Sequence, residues 1–386
     1  MNRPKILNFL SHNILASKSL FDVSQQEQED YLCKLREPKD VIERSYLQYK
    51  CQIYFVPVWR QLILNTMSFF IIWLWFLRTF FCKKKVSKSV EAIIDTKGLK
   101  ENIIPLSLKN RFKQFQEVNW REGSYIDICD RKFLFEIIKR YPFSGWFLLK
   151  IFIKIFNYSF IIKQYNPKFI IVHNEYSFTS SILTGYCRKN EVQHINIMHG
   201  EKLYYIRDSF FEYDEIYVWD EHYVKLFQKL RAKTNKYHIE LPPALFINVE
   251  KFQKDEYYCD LKYYATDQTK DEFKQIRKIF DKIESKGLKC CLRPHPRSTN
   301  INVMKQFFRQ DQIEVPNLSI EESLVNCHYV VSLYSTVLLQ GYYINKIIII
   351  DDMVYNEKFK KLFEYNYLIL TKSYRLLSDF ITSNID

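Results

Sequence analysis

The sequence predicts an α/β protein made of two parallel-sheet domains in succession, each of the Rossmann type. Three observations carry this expectation. From Pro167 onward, short apolar strands alternate with helical segments, the pattern a parallel sheet requires. Pro242-Pro243 interrupts the alternation as an interdomain linker would. Beyond the prolines the pattern restarts and runs to Ile350. At 386 residues the chain is also too long for one ordinary core, and two domains of about 150–200 residues are the default.

The elements follow in order. Residues 1–60 read as helical segments with polar connections, and residues 87–145 offer strands at Ala92–Asp95 and Tyr125–Ile128 and a helix at Arg131–Lys139. The regular part begins with a strand at Lys168–Val172 that enters the loop His173-Asn174-Glu175-Tyr176-Ser177. A helix at Thr179–Lys189 leads to a strand at His194–Met198, which runs into His199-Gly200-Glu201. A strand at Glu215–Trp219, a helix at Glu221–Lys229 and a strand at His238–Leu241 complete the first domain. In the second, the strand Leu261–Ala265 ends in Thr266-Asp267-Gln268-Thr269, a cluster suited to cap the helix Lys270–Lys286. Strand Lys289–Leu292 runs into Arg293-Pro294-His295-Pro296-Arg297. Ser319 caps the helix Ile320–Asn326, and a strand at Tyr329–Leu333 reaches Ser335-Thr336 at the start of the helix Val337–Tyr343. The strand Lys346–Ile350 ends at Asp351-Asp352, and helical runs fill the tail from Asn356.

A formal net charge of +13 points to an anionic partner. No dense RNA-binding signature is present, so nucleic acid is not expected. Nine scattered cysteines form neither a C-x-x-C nor a Cys/His ladder, which speaks against a disulfide framework or zinc site and for a reducing cytosol. The N-terminal apolar stretch is broken by Asn and His and lacks the features of a secretion signal. Two segments are candidates for membrane contact. Leu62–Cys82 is apolar, carries Arg78 and is followed by Lys83-Lys84-Lys85. Residues 145–163 place Lys150 and Lys154 four apart among Trp, Phe, Ile and Leu, as a basic helix lying in an anionic surface would. The alternative for both is a core helix that snorkels its lysines.

The chemistry-bearing residues cluster at strand ends. Arg293, His295, Pro296 and Arg297 form a basic turn, and Ser335 and Thr336 offer hydroxyls with a helix N-terminus, the groups that hold a phosphate. A turn histidine packed between prolines and an ordinary N-cap are the plainer readings of the same residues. For a general base, His199 ranks first, Glu175 on the preceding strand-end loop second, and Glu122 third. A histidine held by backbone at a tight Gly turn is the plainer reading of His199. Asp351-Asp352 read as a solvated strand end rather than a ribose or metal site. Tyr204-Tyr205 and Trp219-Asp220-Glu221 lie along the same edge as His199. No D-x-D or P-loop pattern calls for a metal or cofactor.

The pairing of His295-Pro296 with Ser335-Thr336 resembles bacterial sialyltransferases and polysialyltransferases of GT-B fold. An HG followed by RPHP and a Ser-bearing strand end is similar to capsule Kdo transferases and the CDP-glycerol glycerophosphotransferases of teichoic acid synthesis. The resemblance covers residues 165–352. It implies a GT-B-like arrangement with a cleft between the domains: residues 1–242 on the acceptor side, 243–355 as the nucleotide-donor domain, and a tail, 356–386, crossing back. It further implies that His295 and the Ser335-Thr336 pair contact the phosphate of a CMP-activated donor. Where the sialyltransferases carry an acidic D/E-D/E-G motif, this chain has His199-Gly200-Glu201.

The activity so implied is a glycosyltransferase of capsule or lipopolysaccharide synthesis. It would transfer sialic acid or a related nonulosonic acid, with inversion, from a CMP-sugar co-substrate to a glycan or lipid-linked glycan. The alternatives are a CDP-glycerol-type polyol phosphotransferase and a non-catalytic capsule-assembly protein of degenerate GT-B fold. The expected location is cytoplasmic, peripheral to the anionic inner face of the plasma membrane.

Overall fold

A computed structural model describes residues 20–78, 89–95, 101–112, 115–118, 125–252, 259–296, 298–315 and 318–383. They fall into two compact units, Met1–Pro242 and Pro243–Asp386. Each is an α/β layer structure around a wholly parallel sheet, the class expected for a GT-B-like chain.

The first unit opens with helices α1 (Gln25–Lys34), α2 (Val41–Ile53) and α3 (Val58–Arg78). There follow β1 (Ala92–Asp95), α4 (Leu106–Arg111), β2 (Phe115–Val118), α5 (Ile128–Arg140), α6 (Gly145–Tyr165), β3 (Phe169–Val172), α7 (Ser180–Lys189), β4 (Gln193–Ile197), β5 (Glu212–Val218), α8 (Glu221–Lys229) and β6 (Lys233–Ile239). The sheet order is β2-β1-β3-β4-β5-β6. The chain leaves β1 to one side for β2 and returns to its other side for β3, so the topological switch lies between β1 and β3. In open α/β sheets, ligands gather at the carboxyl ends of the strands flanking such a switch.

Central strands are apolar on both faces because helices cover both: Ile170, Ile171, Ile195, Tyr213 and Ile216 are fully buried. Local signals start the helices. Asp220 caps α8 by accepting from His222 N–H. Asp127 and Asp130 form a reciprocal capping box on α5. That box explains why Tyr125–Ile128 is not the expected strand: the chain there is turning into a helix, and the second strand is β2.

Helix α6 takes the core-helix reading of its segment. Residues 145–163 lie within a helix that has fourteen of its 21 residues buried, so it is a core element rather than a membrane-surface one. Its lysines reach local partners. Lys163 pairs with Asp127 at 3.1 Å, and Lys150 sits over the Trp146 ring. At its start Gly145 meets α3 so closely that a Cβ there would lie 2.3 Å from the Asn65 carbonyl oxygen. Asn65 Oδ1 in turn accepts from Trp146 N–H at 3.0 Å. Only a glycine permits this approach.

The second unit contains α9 (Val249–Phe252), β7 (Leu261–Tyr264), α10 (Lys270–Glu284), β8 (Cys290–Arg293), α11 (Ile301–Met304), α12 (Ile320–Val325), β9 (Tyr329–Ser332), α13 (Thr336–Tyr343), β10 (Ile347–Ile350), α14 (Asn356–Glu364), β11 (Arg375–Leu376) and α15 (Leu377–Thr382). Its sheet order is β11-β10-β9-β7-β8, which puts the switch between β7 and β9. Capping boxes at Thr269/Glu272 and Ser319/Glu322 start α10 and α12. Phe273, Ile276, Phe280 and Ile283 of α10 pack on Leu261, Tyr263, Leu292 and Val331. The tail extends this sheet. β11 pairs with β10, and Leu377 and Phe380 of α15 enter the same core. Asp352 fixes the start of α15 by accepting from Ser378 N–H at 2.9 Å. Asp351 is buried rather than solvated, bonded by Tyr263 Oη–H at 2.5 Å and by the amides of Met353 and Val354.

Candidate functional site

In the first unit the chemistry gathers beyond the carboxyl ends of β3 and β4, neighbours in parallel register. His173 is the first residue past β3, on the switch, and His199 stands two past the end of β4. Their ring centroids lie 4.3 Å apart. Tyr176 meets the His199 ring edge-on at 5.6 Å. His199 is exposed and its turn is closed by Gly200 at φ +62°, the left-handed region that glycine tolerates. Burial holds His173 down to about 4, so its ring is neutral near neutral pH. Its Nδ1 is buried without a hydrogen-bond partner among the described residues.

Glu175 is what holds this pair of turns together. It is fully buried, and both carboxylate oxygens are engaged. Oε1 accepts from the His199 amide at 2.8 Å and from Lys202 Nζ at 2.6 Å, while Oε2 accepts from Asn196 Nδ2 at 3.0 Å. Asn196 also receives the Asn174 amide, tying the β3 loop to the β4 strand. Burial alone would raise the Glu175 pKa, but the Lys202 ammonium and its hydrogen bond outweigh it and hold the carboxylate down to about 2. A carboxylate that acidic and that enclosed does not collect a proton from an acceptor hydroxyl. Its place is to position His199, on whose backbone it acts. Glu122, the third candidate, lies outside the described residues.

A second carboxyl that the sequence reading passed over stands in the same turn. Glu201 accepts from Tyr223 Oη–H at 2.6 Å. Burial pushes it up to about 7 despite that bond. Its adjacency to Gly200, and a tyrosine on the helix after the next strand, were the only signals available. Trp219, at the end of β5, is buried, as is Tyr204, so neither offers an open surface to a ligand. A cavity of about 650 Å³, lined by Glu91, Asn166, Lys168 and Gln193 among others, lies at the opposite edge of this sheet, where β3 and β4 begin.

In the second unit the structure separates the predicted donor residues by role. The Arg293 guanidinium turns inward: it donates to Glu314 Oε2 at 2.6 Å and to the carbonyls of Leu318 and Ser319. Glu314 also pairs with Lys262, a fully buried lysine in the middle of β7, and accepts from Ser323 Oγ–H at 2.6 Å. Arg293 is therefore part of the scaffold beneath the turn. His295 and Pro296 are exposed. The His295 amide donates to Thr299 Oγ1 at 2.7 Å, and Thr299 donates to the Thr266 carbonyl at 2.6 Å, which binds the turn to the end of β7. Ser298 N–H donates to His295 Nδ1 at 3.2 Å, so the neutral ring carries its proton on Nε2. Arg297 lies outside the described residues.

Ser335 caps α13, its Oγ accepting from Val337 N–H, and Thr336 is the helix's first residue. Tyr367 Oη bridges the Ser335 amide and carbonyl at 3.4 Å each, holding the turn from the tail side. The ends of β7 and β9 flank the switch, so Ser335 and Thr336 occupy the position where this class of sheet receives an anionic ligand. Among the described residues no three His, Cys, Asp or Glu side chains converge as a metal site would.

No protein-family model matches the chain, and no curated protein matches it. Solved structures give a distant likeness. A Staphylococcus aureus MnaA–UDP co-structure is 11% identical at a TM-score of 0.43, over 68% of this chain and 79% of that one. UDP-N-acetylglucosamine 2-epimerase from Rickettsia bellii gives 11% and 0.43, over 68% and 78%. The wall teichoic acid polymerase TagF soaked with CDPG gives 7% and 0.42, over 78% and 79%.

Proposed function

We propose that the protein is a glycosyltransferase of surface-polysaccharide synthesis that uses a nucleotide-activated donor, with the second unit holding the nucleotide and the first supplying the base. The observation that carries this reading is the His173–His199 pair, two imidazoles at adjacent strand ends on turns fixed by one buried carboxylate. Structural needs do not account for an exposed imidazole carried on a turn whose backbone is held so firmly. In the reaction, His199 takes the proton of an acceptor hydroxyl, and the oxygen attacks the anomeric carbon of the donor sugar with inversion. The bond from that carbon to the phosphate oxygen breaks. CMP leaves, its phosphate met by Nε2–H of His295 and by the Ser335-Thr336 helix start. Sialic acid or a related nonulosonic acid is the donor sugar proposed, on the resemblance of the His295-Pro296 and Ser335-Thr336 pairing.

One observation favours a second reading within the same site. The turn after β4 presents an imidazole where the sialyltransferase pattern has paired carboxylates. With a CDP-polyol donor, the acceptor oxygen attacks the phosphorus distal to cytidine, the phosphoanhydride bond breaks, and CMP again leaves.

Thermal unfolding with CMP, CDP and UDP tests the donor side: cytidine nucleotides stabilise the protein, and Ser335→Ala or His295→Ala removes the effect. Preference for UDP would overturn both readings. His199→Ala keeps the nucleotide shift and loses transfer by roughly 100-fold or more, the usual worth of a general base. Retained transfer would refute its role. The mass of the product distinguishes a glycosidic link from a phosphodiester.

A further inference from the structure

Helix α3 carries an apolar face that the unit does not use. Leu64 and Ser68 are buried on its inner side, and Asn65 is clamped to the start of α6. On the other side Trp59 is 59% exposed, Leu62 63%, Phe70 73% and Trp73 64%, with Val58 and Ile63 beside them. At 100° per residue these six fall within about 140° of the helix circumference, one stripe with the exposed Thr66 among them. Its side chains are large aromatic and aliphatic groups, unlike the scattered apolar residues common on protein surfaces.

The charge of the sequence on either side of the stripe, together with Arg60 beside it, says what covers it. No Asp or Glu occurs between Glu43 and Glu91, whereas Arg60, Arg78, Lys83, Lys84, Lys85 and Lys88 all do. Arg60 lies over the Trp59 ring, 5.1 Å from its centroid, a cation held at the rim of the stripe. A protein partner of matching shape would need acidic groups around an apolar groove. An anionic bilayer offers both requirements at once, a hydrocarbon layer under negative headgroups, and Trp is the side chain that sits best at that boundary.

We propose that the outward face of α3 is a docking surface for an anionic lipid bilayer, on which the helix lies in the interface plane. It does not span, because its other side is committed to Gly145 and α6. The inference stands independently of the catalytic reading.

Vesicle co-sedimentation tests it with the full chain. At 0.1 M salt the protein sediments with vesicles of phosphatidylcholine and phosphatidylglycerol at least about tenfold more than with phosphatidylcholine alone, and 0.5 M salt weakens it. The triple variant Trp59→Ser, Phe70→Ser, Trp73→Ser removes the binding. All three side chains are exposed, so the variant keeps its thermal unfolding temperature and circular dichroism; should it not, the single change Phe70→Ser, expected to weaken binding severalfold, replaces it. Equal binding to both vesicle types, or binding that survives the substitutions, overturns the proposal. So does a lipid-free dimer that the triple variant converts to monomer, which would make the stripe an interface between copies of the chain.

Discussion

Glu175 shows how one side chain decides what its neighbours do. Two of its three side-chain bonds go to groups that set the His199 turn: the His199 amide directly, and Lys202 three residues on. Replacing it with Gln leaves a 95%-shielded ammonium whose other carboxylate, Asp208, is 3.6 Å away. Removing one partner of a buried ion pair costs about 3–5 kcal/mol. Glu175→Gln is therefore expected to lower the urea midpoint sharply, and Glu175→Gln with Lys202→Met to recover part of the loss; an unchanged midpoint in the single variant would deny the pair its structural role. The position of Glu175 on a strand-end loop was legible in the sequence. Its task was not, because the groups it binds, Asn196, His199 and Lys202, reach it only through the pairing of β3 with β4.

At the scale of elements, strands and helices of the second unit were legible because runs such as Tyr329–Ser332 lie between helices that Ser319 and Ser335 cap. The Tyr125–Ile128 error has the same origin in reverse. Its apolar alternation suggests a strand, but Asp127 and Asp130 stand three apart and serve as a capping box. Helix α6 was ambiguous for a deeper reason: a protein core and a membrane both take apolar surface out of water, so composition does not separate them. The contact that settles its place is the one at Gly145. Gly145→Ala would drive a methyl into the Asn65 carbonyl of α3, at an expected cost of about 1–3 kcal/mol. Urea unfolding measures it, and a neutral result would mean that the two helix ends can separate freely.

For the molecule as a whole, acid is the informative stress. His194, buried between Tyr158 and Thr184, is held down to about 3, and His173 to about 4, both from 6.5 and both chiefly by burial. Unfolding lets both take protons as pH falls below 6.5, which destabilises the fold. Glu201, raised from 4.5 to about 7, acts the other way above 4.5, since there the folded state holds the extra proton. For these three groups of the first unit the net between 6.5 and 4.5 is one proton, or about 1.4 kcal/mol lost per pH unit. Below 4.5 the Glu201 offset ends and Glu175, at about 2, begins to destabilise as well, so the loss steepens. All six tryptophans lie in residues 1–242, so their fluorescence in urea follows the first unit; a flat profile between pH 6.5 and 4 would contradict the burial of both rings. In the second unit, Lys262 of β7 and Arg293 of β8 share the carboxylate of Glu314, which joins the sheet by giving its amide to the Leu292 carbonyl. Losing Glu314 would leave two cations without a counter-charge, one of them fully buried, whereas losing either cation leaves a neutral pair. Over evolutionary time Glu314 is therefore the member that cannot leave alone, and among relatives its exchange for an apolar residue is expected only where both cations have gone first, whatever has become of the turn above.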